Sequence, residues 1–254
     1  MAEQYFYGQG KVKLAKIIGG VRQPWRWVGD VSALSTAFAE EKASHRESYS
    51  GKKSKVREFN ITNDMTVNAT FHDLGTENLV LFTQGTATEN EAGTVTAELL
   101  RNPVAAGDEV ALENPGVSDV VITDSTGTPA TIDPEHYELD PAYGNILFLS
   151  LPDPAPTMPL KAAYTYAANK SVSFLSAPQQ QVALRYEGIN LAEGGAPVIV
   201  ELYKLSPGLL QELALITDGN DVAGMQVTGS VLLDSSKSAT GPYGQYGRIV
   251  QLTA

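Results

Sequence analysis

The chain has 254 residues, enough for one large β domain or two modest ones, and its 43% hydrophobic and 19% charged content is that of a globular chain, not a disordered one. It has no cysteine, which excludes a disulfide framework, a zinc–thiolate site and a cysteine nucleophile. The net charge of −11 is uneven: residues 1–60 hold 11 basic and 6 acidic groups, 61–98 hold 6 acidic and no basic ones, 99–170 hold 10 acidic against 3 basic, and 171–254 hold 7 against 4.

Such a distribution fits a solvated acidic surface, or a basic end made to meet the acidic part of a neighbouring copy. It does not fit tight nucleic-acid binding, which needs clustered Lys and Arg on phosphates. The opening MAEQYFYGQGKVKLA lacks an apolar stretch after a basic start, so no signal peptide is expected. Nothing approaches 18 consecutive apolar residues, so no membrane anchor is expected. The expectation is a protein made in a cytoplasm and soluble there, in which the glycosylation patterns at Asn60, Asn68 and Asn169 are chance.

In chain order, residues 5–18 alternate from Gly10 on, with Val12, Leu14 and Ala15 inward and Lys11, Lys13 and Lys16 outward, which predicts a strand. Gly19-Gly20 predicts a hairpin turn. Trp25 and Trp27 share one face of the next strand and read as sandwich core, with stacking on bases as the alternative. After Gly29-Asp30 the chain leads outward to 40–58, EEKASHRESYSGKKSKVRE, where 11 of 19 residues are ionisable counting His45. This stretch cannot bury a face by itself. It reads as a mobile surface hairpin or disordered loop, or as a long arm that orders only against a partner.

The stretch 66–85, TVNATFHDLGTENLVLFTQG, organises the reading. It opens as a strand with Val67, Ala69 and Phe71 on one face, then switches period. Asp73 or Thr76 is placed to cap a short helix that buries Leu74, Leu79, Val80 and Phe82, and Gly85 to end it in a left-handed conformation. A lone helix on a sheet would lid the core.

Residues 94–100 predict another strand. From 101 to 169 turn signals recur every eight to twelve residues, separating short strands at 109–112, 119–123, 137–139, 145–149 and 160–166, which predicts a compact inserted β domain. Pro152, Pro154, Pro156 and Pro159 predict a stiff exposed connector. The first domain resumes at 171–174 and 181–186. Residues 197–205, PVIVELYKL, are apolar on nearly both faces and predict a central strand. Strands at 212–217 and 226–233 follow, parted by a turn at 218–221. Gly241, Gly244 and Gly247 then mark tight bends or close backbone approaches.

Catalytic patterns are missing. The three histidines, His45, His72 and His136, lack metal-ligand spacing. His72-Asp73 has no nucleophile context, and reads as an ordinary His beside a capping Asp. GQGK at 8–11 and GPYGQYG at 241–247 lack the spacings that wrap phosphate or a dinucleotide. Residues 218–221 are too short for a calcium loop. Paired carboxylates remain open as a glycosidase alternative, since Asp and Glu are plentiful. The expectation is a non-enzyme without cofactor or metal.

Several blocks in order carry a resemblance: GQGKVKLA with PWRWVGDVSALS; SHRESYSGKKSK; FHDLGTENLVLFTQGT; VVITDSTG, HYELDPAYGNILF and LKAAYTYA; VIVELYKLSPGLLQELALI; and GMQVTGSVLLDSS. Together they resemble the major tail tube proteins of long-tailed, non-contractile bacteriophages. None is a sharp motif, because that family is defined by pattern. The resemblance implies a mainly β fold: a tail-tube-type β-sandwich or barrel with one short α-helix and a long loop, formed by 1–100 and 170–254, plus a small outward-facing β-sandwich-like domain at 101–169. Copies would close hexameric rings by extending each other's sheets, and rings would stack into a tube with an acidic lumen. DNA would pass through without specific binding. Ser44, His45, Arg46, Glu47, Tyr49, Lys52, Lys53 and Lys55 would form the inter-ring contact loop, and Asp73, Leu74, Leu79, Val80 and Phe82 the helix at the subunit core. The other implied partners are the tape measure protein and the tail terminator and tip proteins, and the implied location is the virion, after assembly in the host cytoplasm. Two alternatives stand beside it. One is a carbohydrate- or receptor-binding β module on a virion surface, with Tyr143, Tyr164 and Tyr166 as candidate aromatics. The other is a ring protein of a bacterial secretion tube.

Overall fold

A computed structural model of the chain describes residues 3–217, 219 and 222–252. The fold is mainly β with antiparallel pairing, and among the described residues there is one α-helix. The chain divides into two compact units, Met1–Thr86 with Val172–Ala254, and Ala87–Ser171.

The first unit begins with β1 (Gly8–Ile18), β2 (Val21–Arg22), β3 (Arg26–Trp27), β4 (Val31–Arg46) and β5 (Lys55–Phe71), followed by α1 (Thr76–Phe82). The chain leaves this unit along β6 (Thr86–Asn90). The second unit contains β7 (Gly93–Leu99), β8 (Glu109–Ala111), β9 (Val117–Thr123), β10 (Tyr137–Asp140), β11 (Asn145–Phe148) and β12 (Lys161–Tyr166). The chain returns along β13 (Asn169–Ser173), paired with β6, into β14 (Val182–Asn190), β15 (Ala196–Leu210), β16 (Met225–Val231) and β17 (Gly247–Gln251).

The sheet of the first unit runs β2-β1-β14-β15-β16-β5-β4, with β3 on β1 and β17 on β15. Strand β15 is central, as its two-sided apolar pattern predicts. Its first half pairs with β17 at Val198–Leu202, and its second half pairs with β16 from Leu205 on. Even-numbered residues of β1, β14 and β15 and odd-numbered residues of β5 and β16 point to one core: Val12, Leu14, Val182, Leu184, Leu202, Val67, Ala69, Phe71, Val227 and Val231. Helix α1 adds Leu81 and Phe82, and the Phe82 ring lies 4.7 Å from that of Phe71. The described residues do not close a barrel within one chain, because β4 ends the sheet with a free edge.

The second unit has a core of its own, built by the sheets β10-β11-β8 and β7-β12-β9 around Ile122, Ile146, Phe148, Leu160 and Tyr164. It starts at Ala87 and not at 101, because β7, read from sequence as part of the first domain, pairs with β12. The proline-rich 152–159 is no free connector: Leu151 and Met158 pack on this core, and Ser125 N donates to Thr157 O.

Other local expectations are revised. The tryptophans do not fill the core. Trp27 is exposed under Lys11 and Trp25 is half-buried against Arg22, because β3 is a two-residue strand at the sheet margin. Helix α1 starts from Gly75 with no side-chain cap, since Asp73 Oδ1 accepts from Gly75 N and not from the helix. The positive φ after α1 belongs to Gln84; Gly85 is needed for close approach, as a Cβ there would meet Ser173 O at 2.5 Å. Residues 212–217 form no strand, and Leu215 and Ile216 are exposed. Of the turn at 218–221, residues 218, 220 and 221 lie outside the described residues.

Candidate assembly interface

The charged stretch 40–58 is the hairpin among its sequence readings, two paired strands joined by a tip at 47–54. Strands β4 and β5 pair from Val31↔Phe71 out to Arg46↔Lys55, interrupted by small register shifts. Only the root is covered by a further strand, since β16 pairs with β5 at Thr66–Phe71 alone. From Met65 to Lys55 the hairpin is a lone two-stranded ribbon, roughly 35 Å long at about 3.3 Å per residue. Low apolar content argued for disorder, but the ladder here grows outward from a pairing already fixed in the core, so no separate nucleation is needed.

Cross-strand neighbours explain how the ribbon holds. One face carries Phe38 opposite Met65, Glu40 opposite Asn63, Lys42 opposite Asn60 and Ser44 opposite Glu58. On it Lys42 pairs with Glu40 and Glu58, and Lys55 with Glu58. The hydrogen bond from Lys55 holds the Glu58 carboxyl below its ordinary range. The other face carries Ala43 opposite Phe59 and His45 opposite Arg57, whose guanidinium lies 5.5 Å from the Phe59 ring. Phe38, Val56, Phe59 and Ile61 are all exposed, Phe38 by 77%. Large apolar side chains left in water along a ribbon with no core behind it make this a candidate contact surface.

At the tip, Glu47 is the organiser. Its carboxylate accepts from the amides of Tyr49 at 3.0 Å, Ser50 at 2.9 Å and Ser54 at 3.2 Å, and from the Ser50 hydroxyl. The Ser50 hydroxyl and those amides hold its pKa down to about 2. Arg46 Nη1 donates to Lys53 O across the same turn. Glu47 is therefore buried inside the tip and cannot be a contact residue, which corrects the reading that placed it on the contact loop. Ser44, His45, Arg46, Tyr49, Lys52, Lys53 and Lys55 are exposed, and residues 46–57 hold five basic groups against Glu47 alone.

The helix residues separate. Phe82 is buried, Leu79 and Val80 are half-buried, and Leu74 and Asp73 are exposed, so Leu74 does not belong to the buried set. Sequence reasoning missed Asn78, the fully buried hub of α1. Its Oδ1 accepts from Arg26 Nη2 at 2.7 Å, and its Nδ2 donates to Val28 O at 3.0 Å and Asp73 O at 2.8 Å. A polar residue between Glu77 and Leu79 carries no signal of that role in sequence. The hub and the His72 N–Asp30 O bond fix the root of the hairpin against α1.

A second opening lies in the first unit, a groove of about 900 Å³ along the core-facing sides of β1, β14 and β15. It is lined by Val12, Leu34, Leu184, Tyr186, Val200 and Ile249 among others, and Asp30 is its charged residue. Among the described residues no three His, Cys, Asp or Glu side chains gather to hold a metal. His136 Nδ1 lies 2.7 Å from Ser150 Oγ, but Glu135 is exposed and 3.8 Å from Nε2, too long for a hydrogen bond. Of the candidate aromatics for a sugar site, Tyr164 and Tyr166 have rings 6.4 Å apart, but Tyr164 is buried and bonded to Glu98 and Asn114 and Tyr166 is half-buried, so of the three Tyr143 is the exposed one. Among the described residues no helix is long and apolar enough to cross a membrane.

Residues 5–250 match a family described as "Protein of unknown function UCP028589". No curated protein matches the chain.

Proposed function

The chain belongs to that family over nearly its whole length, and we propose that it is a structural, non-enzymatic protein whose copies assemble with one another, as the tube protein of a long non-contractile phage tail. In this reading copies form rings, hexameric by the resemblance, and the β4–β5 hairpin of one ring reaches the next. The assembled protein resides in the virion, contacts the tape measure, terminator and tip proteins, and passes DNA along an acidic lumen that repels phosphate.

The observation that carries the reading is the hairpin. From Met65 to Lys55 it runs away from any covering strand, it keeps Phe38, Phe59 and Ile61 in water, and it ends in a basic tip on a chain of net charge −11. An isolated two-stranded ribbon is marginal in water and gains from pairing or burial against a partner. Opposite charge on the rest of the chain favours a sister copy as that partner. The free edge of β4 supports the same conclusion.

Electron microscopy of the purified protein at high concentration tests this, with rings or tubes expected. Deleting 44–55 is expected to leave a folded protein that forms no long tubes. Normal tubes from that variant would remove the hairpin from the mechanism. A wild-type protein that stays monomeric at every concentration, with other virion components as well as alone, would end the reading.

A further inference from the structure

Strand β17 lies at a margin of the main sheet, on β15 alone. It pairs with β15 from Val198↔Gln251 to Leu202↔Gly247, yet none of its residues is buried, and Ile249 is 67% exposed. Beyond the backbone ladder, one ion pair ties it to β15. Arg248 Nε donates to Glu201 Oε2 at 2.7 Å, with its guanidinium 4.5 Å from the Tyr243 ring. Residues 232–246, which lead to it, form no helix or strand. They carry local bonds such as Lys237 N to Asp234 O and Gly244 N to Gly241 O, and are tied to β15 where Tyr203 N donates to Tyr246 O and the Tyr203 hydroxyl to Tyr243 O. Few buried contacts and a turn-rich approach define a segment of low local stability.

What β17 covers is the opposite. The β15 edge beneath it carries buried Val198, Glu201, Leu202 and Tyr203. Burial pushes the Glu201 carboxyl up, but Arg248 and Arg185 outweigh that and hold it low, so it is ionised and needs its cations. A bare edge of this kind is a template for another strand.

We propose that β17 is an exchangeable strand: in the assembled protein it leaves its own β15 and pairs with β15 of a second copy, rebuilding the same ladder and the Arg248–Glu201 pair in trans. The partner is a second copy because the strand complementary to this edge is already written in the chain. Its register and its ion pair are specific, and so is Gly247, where a Cβ would meet Glu201 O at 2.3 Å. Exchange conserves the ladder and the Arg248–Glu201 pair, so it is resisted by association entropy and by loss of the connector's own bonds, such as those to Tyr203. Residues 232–246 span roughly 50 Å when extended at about 3.3 Å per residue, enough to reach a neighbour. The contact is heterologous, so each copy gives a strand to the next and the exchange propagates around a ring. The inference deepens the self-assembly reading and rests on it, but its test does not require tubes.

The chain has no cysteine, so every introduced thiol is unique. Val200 and Ile249 are direct cross-strand partners, within disulfide reach. A mixture of the single variants Val200→Cys and Ile249→Cys, oxidised at high concentration, is expected to give the mixed disulfide dimer in several-fold excess over the statistical yield. A statistical mixture of dimers overturns the proposal. The double variant Val200→Cys/Ile249→Cys, oxidised in dilute solution and shown by mass to hold an intrachain disulfide, is expected to lose assembly and regain it on reduction. Equal assembly of the oxidised and reduced forms also overturns it. Mixed dimers without tubes would uphold the exchange and defeat the tube reading; tubes without mixed dimers would do the reverse.

Discussion

Replacing Asn78 by Ala removes a fully buried side chain whose three hydrogen bonds tie α1 to Val28, Asp73 and Arg26. Two neutral bonds contribute about 1 kcal/mol each and the one to a guanidinium about 1.5–3 kcal/mol. Arg26 keeps its pair with Glu77 at 2.7 Å and is partly exposed, so its share is softened. The Val28 and Asp73 carbonyls have no such relief. We expect a loss of about 3–4 kcal/mol, a large part of the 5–15 kcal/mol typical of a domain. The melting temperature of the first unit should then fall by about 10 °C. Urea titration followed by tryptophan fluorescence isolates this effect, because the two tryptophans, Trp25 and Trp27, both lie in the first unit. Asn78→Asp keeps an acceptor for Arg26 but loses both donations, and should lose at least about 2 kcal/mol. A change below about 1 kcal/mol for Asn78→Ala at unchanged slope would refute the assignment of Asn78 as the hub.

Acid should loosen the hairpin tip. The Glu47 pKa is lowered from 4.5 to about 2, so its contribution is complete above about 4.5 and lost as pH falls towards 2. Amide exchange at Tyr49, Ser50 and Ser54 should accelerate across that window, and Glu47→Gln should exchange fast at all pH values; flat protection in the wild type contradicts the tip geometry. Phe82→Ala empties a buried site packed against Phe71 and should destabilise the first unit by about 3–5 kcal/mol in the same urea assay, with a loss under about 1 kcal/mol counting against the lid role of α1. Excising Ala87–Ser171 behind a short linker should leave a first unit with a cooperative urea transition, since each unit has its own core; a non-cooperative product would show that the two cores depend on each other.

Period and composition were enough for the mainly β character, the central strand at 197–205, the lone helix near 76–82 and a separately packed insertion, because alternation and turn residues are local properties. They misjudged 212–217 and the tryptophans and left 40–58 open between a hairpin and a disordered loop, because partners far along the chain decide. The charged ribbon extends because β4 and β5 are already aligned at Val31 and Phe71, and 212–217 stays irregular although its run 213–216 is apolar. Trp27 stays in water because β3 is a two-residue strand at the margin of the sheet. Asn78, the inward turn of Glu47 and the thin hold on β17 left no trace in sequence. Each depends on groups brought within hydrogen-bond distance only by folding, such as Arg26 with Asn78 or Arg248 with Glu201. Local pattern determined which segments could be strands; long-range pairing decided which of them were covered, because only folding sets strands side by side.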